Sequence, residues 1–130
     1  MKYVMMAAVC ALAALAAGCG ESNEGPGIAL TITDANFDET IKDGVALVDF
    51  WATWCPPCRT QGPIVEKVAR AYEGKAVVGK LDTDRNKKTA ARFKVRSIPT
   101  LIIFKDGKEV QRFTGLTQET KLKAALDKRL

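Results

Sequence analysis

The stretch that decides the fold is residues 51–63, "WATWCPPCRTQGP", in which two cysteines enclose two prolines directly after an apolar run. The apolar residues that follow Pro56 recur with a helical period, so the cysteines stand at the start of a predicted helix. At the N-cap, the Cys55 sulfur would accept hydrogen bonds from free N–H groups of the first turn, and the helix dipole would favour its thiolate. Cys58, one turn further on, would then be close enough to form a disulfide with Cys55.

The two prolines suit the start of a helix. Pro56 falls at the first helical position, where the missing N–H has no intrahelical partner and the fixed φ matches the helix. Pro57 is tolerated because it still lies in the first turn. Together they stiffen the entry to the helix and leave the Cys58 N–H as a donor toward Cys55.

The first eighteen residues, "MKYVMMAAVCALAALAAG", differ in composition from the rest of the chain. Lys2 is followed by an uncharged, Ala-rich run shorter than the ~20 residues that a bilayer span takes, which indicates a secretory signal peptide. The sequence "AAGC" resembles a bacterial lipobox, in which Cys19 is lipidated after cleavage; an uncleaved signal anchor is the alternative. Either arrangement places the domain outside the cytoplasm. We predict a lipoprotein-type signal peptide at 1–18, a lipidated Cys19 with a flexible linker over 19–27, and one domain over 28–130.

The sequence contains four cysteines, of which only Cys55 and Cys58 belong to the domain, because Cys10 lies in the apolar core of the signal peptide. A single close pair could form a purely structural disulfide or half of a zinc site. Zinc needs four ligands, or three plus a water molecule, and the domain has neither a histidine nor a third cysteine, so we predict no metal site. The lack of histidine also excludes imidazole acid–base catalysis and Cys–His nucleophiles.

The formal net charge is +5, and it falls to +4 if residues 1–18 are removed, because that segment holds one lysine and no acidic residue. The basic residues are spread along predicted helices, without an Arg-rich run or interleaved aromatic residues. This pattern is typical of solvated helix faces, and no nucleic-acid partner is predicted.

The domain alternates strand-like and helix-like segments. "VALVDFW" is a near-continuous apolar run, as expected of a central strand covered on both faces. "TLIIFKDGKEVQRFT" predicts a β-hairpin, because an Asp-Gly turn joins two strand-like runs. The predicted elements are a strand in 28–33, a helix from the N-cap Asp34 to Gly44, a strand at 45–51, a helix from Pro56 to about Glu73, a strand at 75–81, a short helix in 82–93, the hairpin at 100–114, and a helix that opens at Thr117 with Leu122, Ala125, Leu126 and Leu130 on one face.

This βαβαβαββα order predicts the fold class. Alternating strands and helices in the first part imply parallel strands with right-handed crossovers, and the hairpin adds antiparallel strands. We predict an α/β domain in which a central mixed β-sheet is flanked by helices on both faces.

Four motifs, "VDFWATWCPPCRTQGP", "GKLDTD", "RSIPTLIIFKDGK" and "FTG", resemble those of thioredoxins in their order and spacing. The resemblance runs from Ile28 to Leu130 and implies the thioredoxin fold and dithiol–disulfide exchange with disulfide-containing protein substrates. It also implies a monomer that needs no metal or organic cofactor and is recharged by an external thiol reductant. The chain departs from cytoplasmic thioredoxins at Pro56, where they usually carry Gly. It also lacks the insertion and extra hairpin usual in thioredoxins of cytochrome c maturation.

The resemblance assigns catalytic roles as well. Cys55 corresponds to the attacking thiol and Cys58 to the buried resolving thiol. Asp49 matches a buried carboxylate that helps Cys58 lose its proton, and such a carboxylate should have a raised pKa because burial disfavours its charged form. Lys80 matches the partner of that carboxylate, with a surface lysine as the alternative reading.

A second group of residues corresponds to the substrate surface. Ile98 and Pro99 match a cis-proline loop that faces the cysteines, whereas a trans bond is the default for an isolated proline. Trp51 is expected in the core and Trp54 on a partly exposed surface. The predicted substrate-binding residues are Trp54, Pro56, Pro57, Ile98 and Pro99.

These observations predict an extracytoplasmic thiol–disulfide oxidoreductase that reduces protein disulfides through Cys55 and Cys58. We expect it to be lipid-anchored in a bacterial cell envelope, in the periplasm or on the outer face of a membrane. A disulfide-forming oxidant of the same fold is one alternative; no cation lies between the cysteines to stabilise the thiolate strongly, which favours a moderately reducing couple. The other alternative is a non-catalytic binding module of the same fold, and the presence of both cysteines argues against it.

Overall fold

The computed structural model describes residues 28–130, so the predicted signal peptide, Cys19 and the linker lie outside the described residues. Within 28–130, no helix is both long and apolar enough to cross a bilayer. The elements are, in chain order, β1 (Leu30–Ile32), α1 (Phe37–Ile41), β2 (Val45–Trp51), α2 (Pro56–Ala71), β3 (Val77–Asp82), α3 (Lys87–Arg92), β4 (Thr100–Lys105), β5 (Lys108–Thr114) and α4 (Glu119–Asp127). This is the predicted βαβαβαββα order.

In the described residues, the strands form one sheet in the order β1-β3-β2-β4-β5. β3 pairs in parallel with β1 and β2, whereas β4 pairs antiparallel with β2 and β5. At the turn between β4 and β5, Asp106 and Gly107 have positive φ angles of 48° and 83°, as a two-residue hairpin turn requires. The predicted mixed sheet is therefore confirmed, with β2 at its centre.

Helices cover both faces of the sheet, as predicted. On one face, α2 and α4 pack against the sheet through a core that includes Leu47 and Val68. On the other face, α1 and the C-terminal end of α3 pack through a core that includes Val48 and Phe37. Because side chains alternate along a strand, the odd-numbered residues of β2, Asp49 among them, face α2.

The first helix begins later than the sequence predicted. Asp34 was expected as its N-cap, but α1 begins at Phe37 with Asn36 as the N-cap. The Asp34 carboxylate instead accepts hydrogen bonds from the Thr89 backbone N–H at 2.9 Å and from the Thr89 hydroxyl at 2.7 Å. These bonds hold the pKa of Asp34 below its usual value. Asp34 therefore caps α3, a helix far away in sequence, and does not cap its own.

The last helix also differs from the prediction. α4 begins at Glu119 with Gln118 as its N-cap, whereas Thr117 was expected to open it. Thr117 pairs with Gln61 instead: its carbonyl oxygen, which would accept the first intrahelical hydrogen bond, accepts one from Gln61 Nε2 at 2.9 Å, and its N–H donates to Gln61 Oε1 at 2.7 Å. Leu130, expected on the apolar face, lies beyond the end of α4 and is exposed.

Candidate active site

The cysteine pair lies at the start of α2, as predicted. Cys55 is the N-cap, in an extended backbone conformation, and its Sγ accepts a hydrogen bond from the Cys58 N–H at 3.3 Å. The two residues form a disulfide with Cα atoms 5.2 Å apart, within the usual range for such bonds. Pro56 and Pro57 fill the first two helical positions and are exposed. In the reduced protein, the same helix start stabilises negative charge on Cys55.

The loop that precedes β4 lies against the disulfide. The Ile98-Pro99 peptide bond is cis. The Ile98 carbonyl oxygen lies 3.7 Å from Cys55 Sγ, and the Ile98 side chain packs against the cluster formed by Ala52 and the two cysteines. Ile98 is partly exposed, so a polypeptide that approaches Cys55 would meet this loop.

Asp49 is the buried ionisable group of this region. Its side chain is fully buried, and neither carboxylate oxygen has a hydrogen-bond partner among the described residues. Burial raises the pKa of Asp49 from its ordinary value of 3.8 to about 7, although the charge of Lys80 acts in the opposite direction. A carboxyl group that titrates near neutral pH can both accept and return a proton under physiological conditions.

Lys80 lies beside Asp49 because the two residues are paired in the parallel register of β2 and β3. Its Nζ lies 4.8 Å from the centre of the Trp51 ring, which is partly buried and packs against the cysteine cluster. The same Nζ would lie 3.4 Å from a Cβ added to Gly62, so the lysine reaches the surface of α2. Asp49, Lys80 and the cysteine helix therefore share one face of the sheet.

Trp54 is the most exposed large apolar residue of the described chain, with 64% of its surface accessible. Its indole Nε1–H donates to the Asp84 carboxylate at 2.8 Å, which fixes the ring at the surface next to the disulfide. The exposed surface of Trp54 was predicted from the sequence, whereas its partner Asp84 was not. The acidic "DTD" turn after β3 was the available signal, since the carboxyl ends of β2 and β3 lie at the same edge of the sheet.

Gln61 and Leu116 are two further residues near the site that were not predicted from the sequence. Gln61 lies on α2 and is completely buried, whereas Leu116 lies in the segment before α4 and is 46% exposed. The signal for Gln61 was its position: it continues the buried stripe of Cys58, Val65 and Val68 at helical spacing, where an apolar residue is expected.

A cysteine pair at a helix N-terminus, a cis-proline loop against it and a buried carboxyl group on the same face of the sheet define a thiol–disulfide oxidoreductase. The family model described as Thioredoxin matches residues 28–128. Thioredoxins of Staphylococcus haemolyticus and Staphylococcus aureus are 54% and 52% identical over 99 residues, which cover 76% of this chain and 95% of each relative. The solved structure of a mutant thioredoxin from Halobacterium salinarum NRC-1 superposes with a TM-score of 0.73 at 35% identity, covering 80% of this chain and 92% of that chain. The chain belongs to the thioredoxin family and is a protein-disulfide reductase.

Proposed function

We propose that this protein is an exported, lipid-anchored thioredoxin that reduces disulfide bonds of other proteins on the outer side of a bacterial membrane. The observation that carries the chemistry is the position of Cys55 Sγ at the N-cap of α2, where it accepts the Cys58 N–H and faces the Ile98 carbonyl. That position favours the Cys55 thiolate, which is the form that attacks disulfides.

The reaction consists of two exchange steps. The Cys55 thiolate attacks one sulfur of the substrate disulfide, which forms a mixed disulfide and releases the other substrate sulfur as a thiolate. Cys58 then loses its proton and attacks Cys55 Sγ, which releases the second substrate thiolate and leaves the Cys55–Cys58 disulfide. The substrate gains two electrons and, once both thiolates are protonated, two protons. An external thiol reductant must return the enzyme to its dithiol form.

Asp49 is suited to accept the Cys58 proton during the second step. Its pKa of about 7 means that a substantial fraction is ionised at neutral pH and ready to take up a proton. Lys80 favours the ionised form through its charge. The exposed Trp54, Pro56 and Pro57 and the Ile98-Pro99 loop would contact the substrate chain around the disulfide.

Residues 1–27 support the location. The stretch at 1–18 has the charge and apolar pattern of a signal peptide, and Cys19 follows it in a lipobox-like context. The family match begins at residue 28, so these residues are additional to the thioredoxin domain. The eight residues from 20 to 27 reach at most about 26–29 Å when fully extended, which would hold the enzyme close to the bilayer.

The experiment is cell fractionation of the full chain with Cys19→Ser and, as a matched control, Cys10→Ser within the predicted signal peptide. We expect the wild type and Cys10→Ser to be membrane-bound and to incorporate labelled fatty acid. Cys19→Ser should incorporate none and leave the membrane fraction, yet reduce a soluble disulfide substrate normally. If the Cys19→Ser protein stays uncleaved in the membrane, residues 1–18 are a signal anchor and the lipoprotein proposal is wrong. Wild-type protein in the cytoplasmic fraction would overturn export itself.

A further inference from the structure

Gln61 is a fully buried polar residue on α2, one turn after Cys58. Both ends of its amide are hydrogen-bonded to the backbone of one residue that is distant in sequence. Gln61 Nε2 donates to the Thr117 carbonyl oxygen at 2.9 Å, and the Thr117 N–H donates to Gln61 Oε1 at 2.7 Å. The Gln61 amide thus makes the two hydrogen bonds with Thr117 that the backbone of a neighbouring strand would make.

The requirement for this pairing comes from the segment before α4. Thr117 is buried, and α4 does not begin until Glu119. A buried N–H or C=O without a partner would destabilise the folded protein. An apolar residue at position 61 could fill the stripe, as Val65 and Val68 do on the next turns of α2, but it would leave both groups of Thr117 unsatisfied.

The segment that Gln61 fixes is also attached to the proline loop. The Gly115 N–H donates to the Pro99 carbonyl oxygen at 2.8 Å, and Pro99 directly follows Ile98, whose carbonyl faces Cys55 Sγ. Residues 115–117 therefore contact both sides of the active site. Gln61 connects them to α2, which carries Cys58, and the Pro99 carbonyl connects them to the proline loop, which contacts Cys55. Leu116 lies between the two attachment points and projects an exposed apolar side chain.

We propose that Gln61 is a positioning residue for polypeptide substrates. It holds residues 115–117 against α2, so that Leu116 stands at a fixed place beside the Ile98-Pro99 loop and contacts the chain that carries the target disulfide. Gln61 itself touches neither the substrate nor the reacting sulfurs. The proposal rests on disulfide exchange at Cys55 and is independent of the lipid anchor.

The test compares a polypeptide substrate with a small one. Gln61→Met preserves the length and apolar stem of the side chain but removes both hydrogen bonds. We expect the second-order rate constant for insulin reduction to fall about fivefold to tenfold, as for the loss of about 1 kcal/mol of ordered contact. Reduction of the oxidised variant by dithiothreitol, which needs no polypeptide contact, should stay within about twofold of wild type, and the redox potential should not change.

Tyr72→Phe is the matched control. Tyr72 also links α2 to the C-terminal part of the chain, because its hydroxyl lies 2.5 Å from Asp127 Oδ1 and 3.0 Å from the Lys123 carbonyl oxygen, but these contacts do not involve residues 115–117. Removal of the Tyr72 hydroxyl should leave the rate of insulin reduction and the rate of enzyme reduction by dithiothreitol unchanged. Leu116→Ala should reproduce the insulin defect, and combining it with Gln61→Met should add little, because both act at the same contact.

The proposal is overturned if Gln61→Met leaves the insulin rate unchanged, if it slows insulin and dithiothreitol alike, or if Tyr72→Phe shows the same insulin-specific defect. If Gln61→Met does not fold, Gln61→Asn replaces it, since its amide is one methylene too short to keep both bonds. The Leu116→Ala measurement stands by itself: a wild-type insulin rate in that variant contradicts the proposal whatever the Gln61 variants do.

Discussion

The seven residues of strand β2 alternate between the two faces of the sheet, and the two faces differ in chemical character. Both faces are buried from Val45 to Phe50. The face toward α2 carries Val45, Leu47 and Asp49, and the face toward α1 carries Ala46, Val48 and Phe50. One face is entirely apolar, whereas the other places a carboxyl group, without hydrogen-bond partners among residues 28–130, beneath the cysteine helix.

The apolar face contributes stability. Its core contains three mutually packed rings, Phe37, Phe93 and Phe104, with centroids 5.2 to 5.5 Å apart. Such pairs stabilise a fold by area burial and ring geometry, neither of which depends on pH. The Asp49 face loses stability whenever its carboxyl is ionised. An apolar residue at position 49 would serve packing better, so the proposed proton transfer by Asp49 gives a reason for a carboxyl group at this position.

The largest expected effect is on the apolar face. Phe104→Ala removes a fully buried ring and should lower the free energy of unfolding by about 3–5 kcal/mol. Urea unfolding of the oxidised protein should give the same loss at about pH 4 and about pH 8, because no titrating group is involved. The redox potential of the folded variant should match wild type. If the loss of unfolding free energy in Phe104→Ala depended strongly on pH, the two faces of the sheet would not differ in the way proposed.

On the other face, replacing the acid should increase stability. The pKa of Asp49 is about 7 in the folded protein and 3.8 ordinarily, so the unfolded chain ionises first as the pH rises. The part of the stability that depends on Asp49 is therefore fully present below about pH 4, falls between about pH 4 and 7, and is constant above that. Asp49→Asn abolishes this loss and should be more stable by about 4 kcal/mol at about pH 8, with no difference near pH 4.

Lys80→Met provides the control for that measurement. Without the lysine charge, the pKa of Asp49 should rise further, because burial then acts unopposed. The pH-dependent loss of stability in Lys80→Met should consequently extend to higher pH than in wild type. A stability difference between Asp49→Asn and wild type that stays constant across the pH range would refute the raised pKa.

The smallest effect concerns the rate of exchange. Asp49→Asn should slow resolution of the mixed disulfide by about tenfold near neutral pH, because Cys58 loses its proton acceptor. Quenched single-turnover reactions would show the mixed disulfide accumulating, while its formation by Cys55 keeps its wild-type rate. The defect should shrink above about pH 9, where a thiol of ordinary pKa ionises unaided. An unchanged rate of resolution would leave Asp49 without a catalytic part.

Local patterns in the sequence sufficed for much of the fold and part of the site. The Cys-Pro-Pro-Cys helix start, the apolar run of β2 and the Asp-Gly hairpin each depend on neighbouring residues, and each is present in the structure. The mixed sheet followed from the order of the elements. These features could be predicted because the forces that produce them act within a few residues.

The errors at Asp34 and Thr117, and the omission of Asp84, arose where polar side chains bind a distant part of the chain. Asp34 resembled an N-cap for the next helix, but its carboxylate caps α3. Thr117 resembled a helix start, but its carbonyl and its N–H are both paired with the Gln61 amide. Asp84 stands in an acidic turn that the sequence displays, but only the folded sheet brings it to the Trp54 indole. Hydrogen bonds over such separations depend on the finished topology, and spacing along one sequence does not encode them.

Trapping of the mixed disulfide tests whether Cys55 is the attacking thiol and Cys58 the resolving thiol. Cys58→Ser and Cys55→Ser, each in the reduced state, would be mixed with a disulfide-bonded protein substrate, quenched with acid and analysed by non-reducing mass spectrometry. Cys58→Ser should accumulate a stable mixed disulfide through Cys55, because the resolving step is absent and Cys55 lies at the helix N-cap next to the Ile98 carbonyl. Cys55→Ser should trap nothing, since the remaining Cys58 lies inside the first turn of α2 and not at the N-cap, where the helix N-terminus favours a thiolate. Equal trapping by the two variants, or trapping only through Cys58, would contradict these roles of the two cysteines.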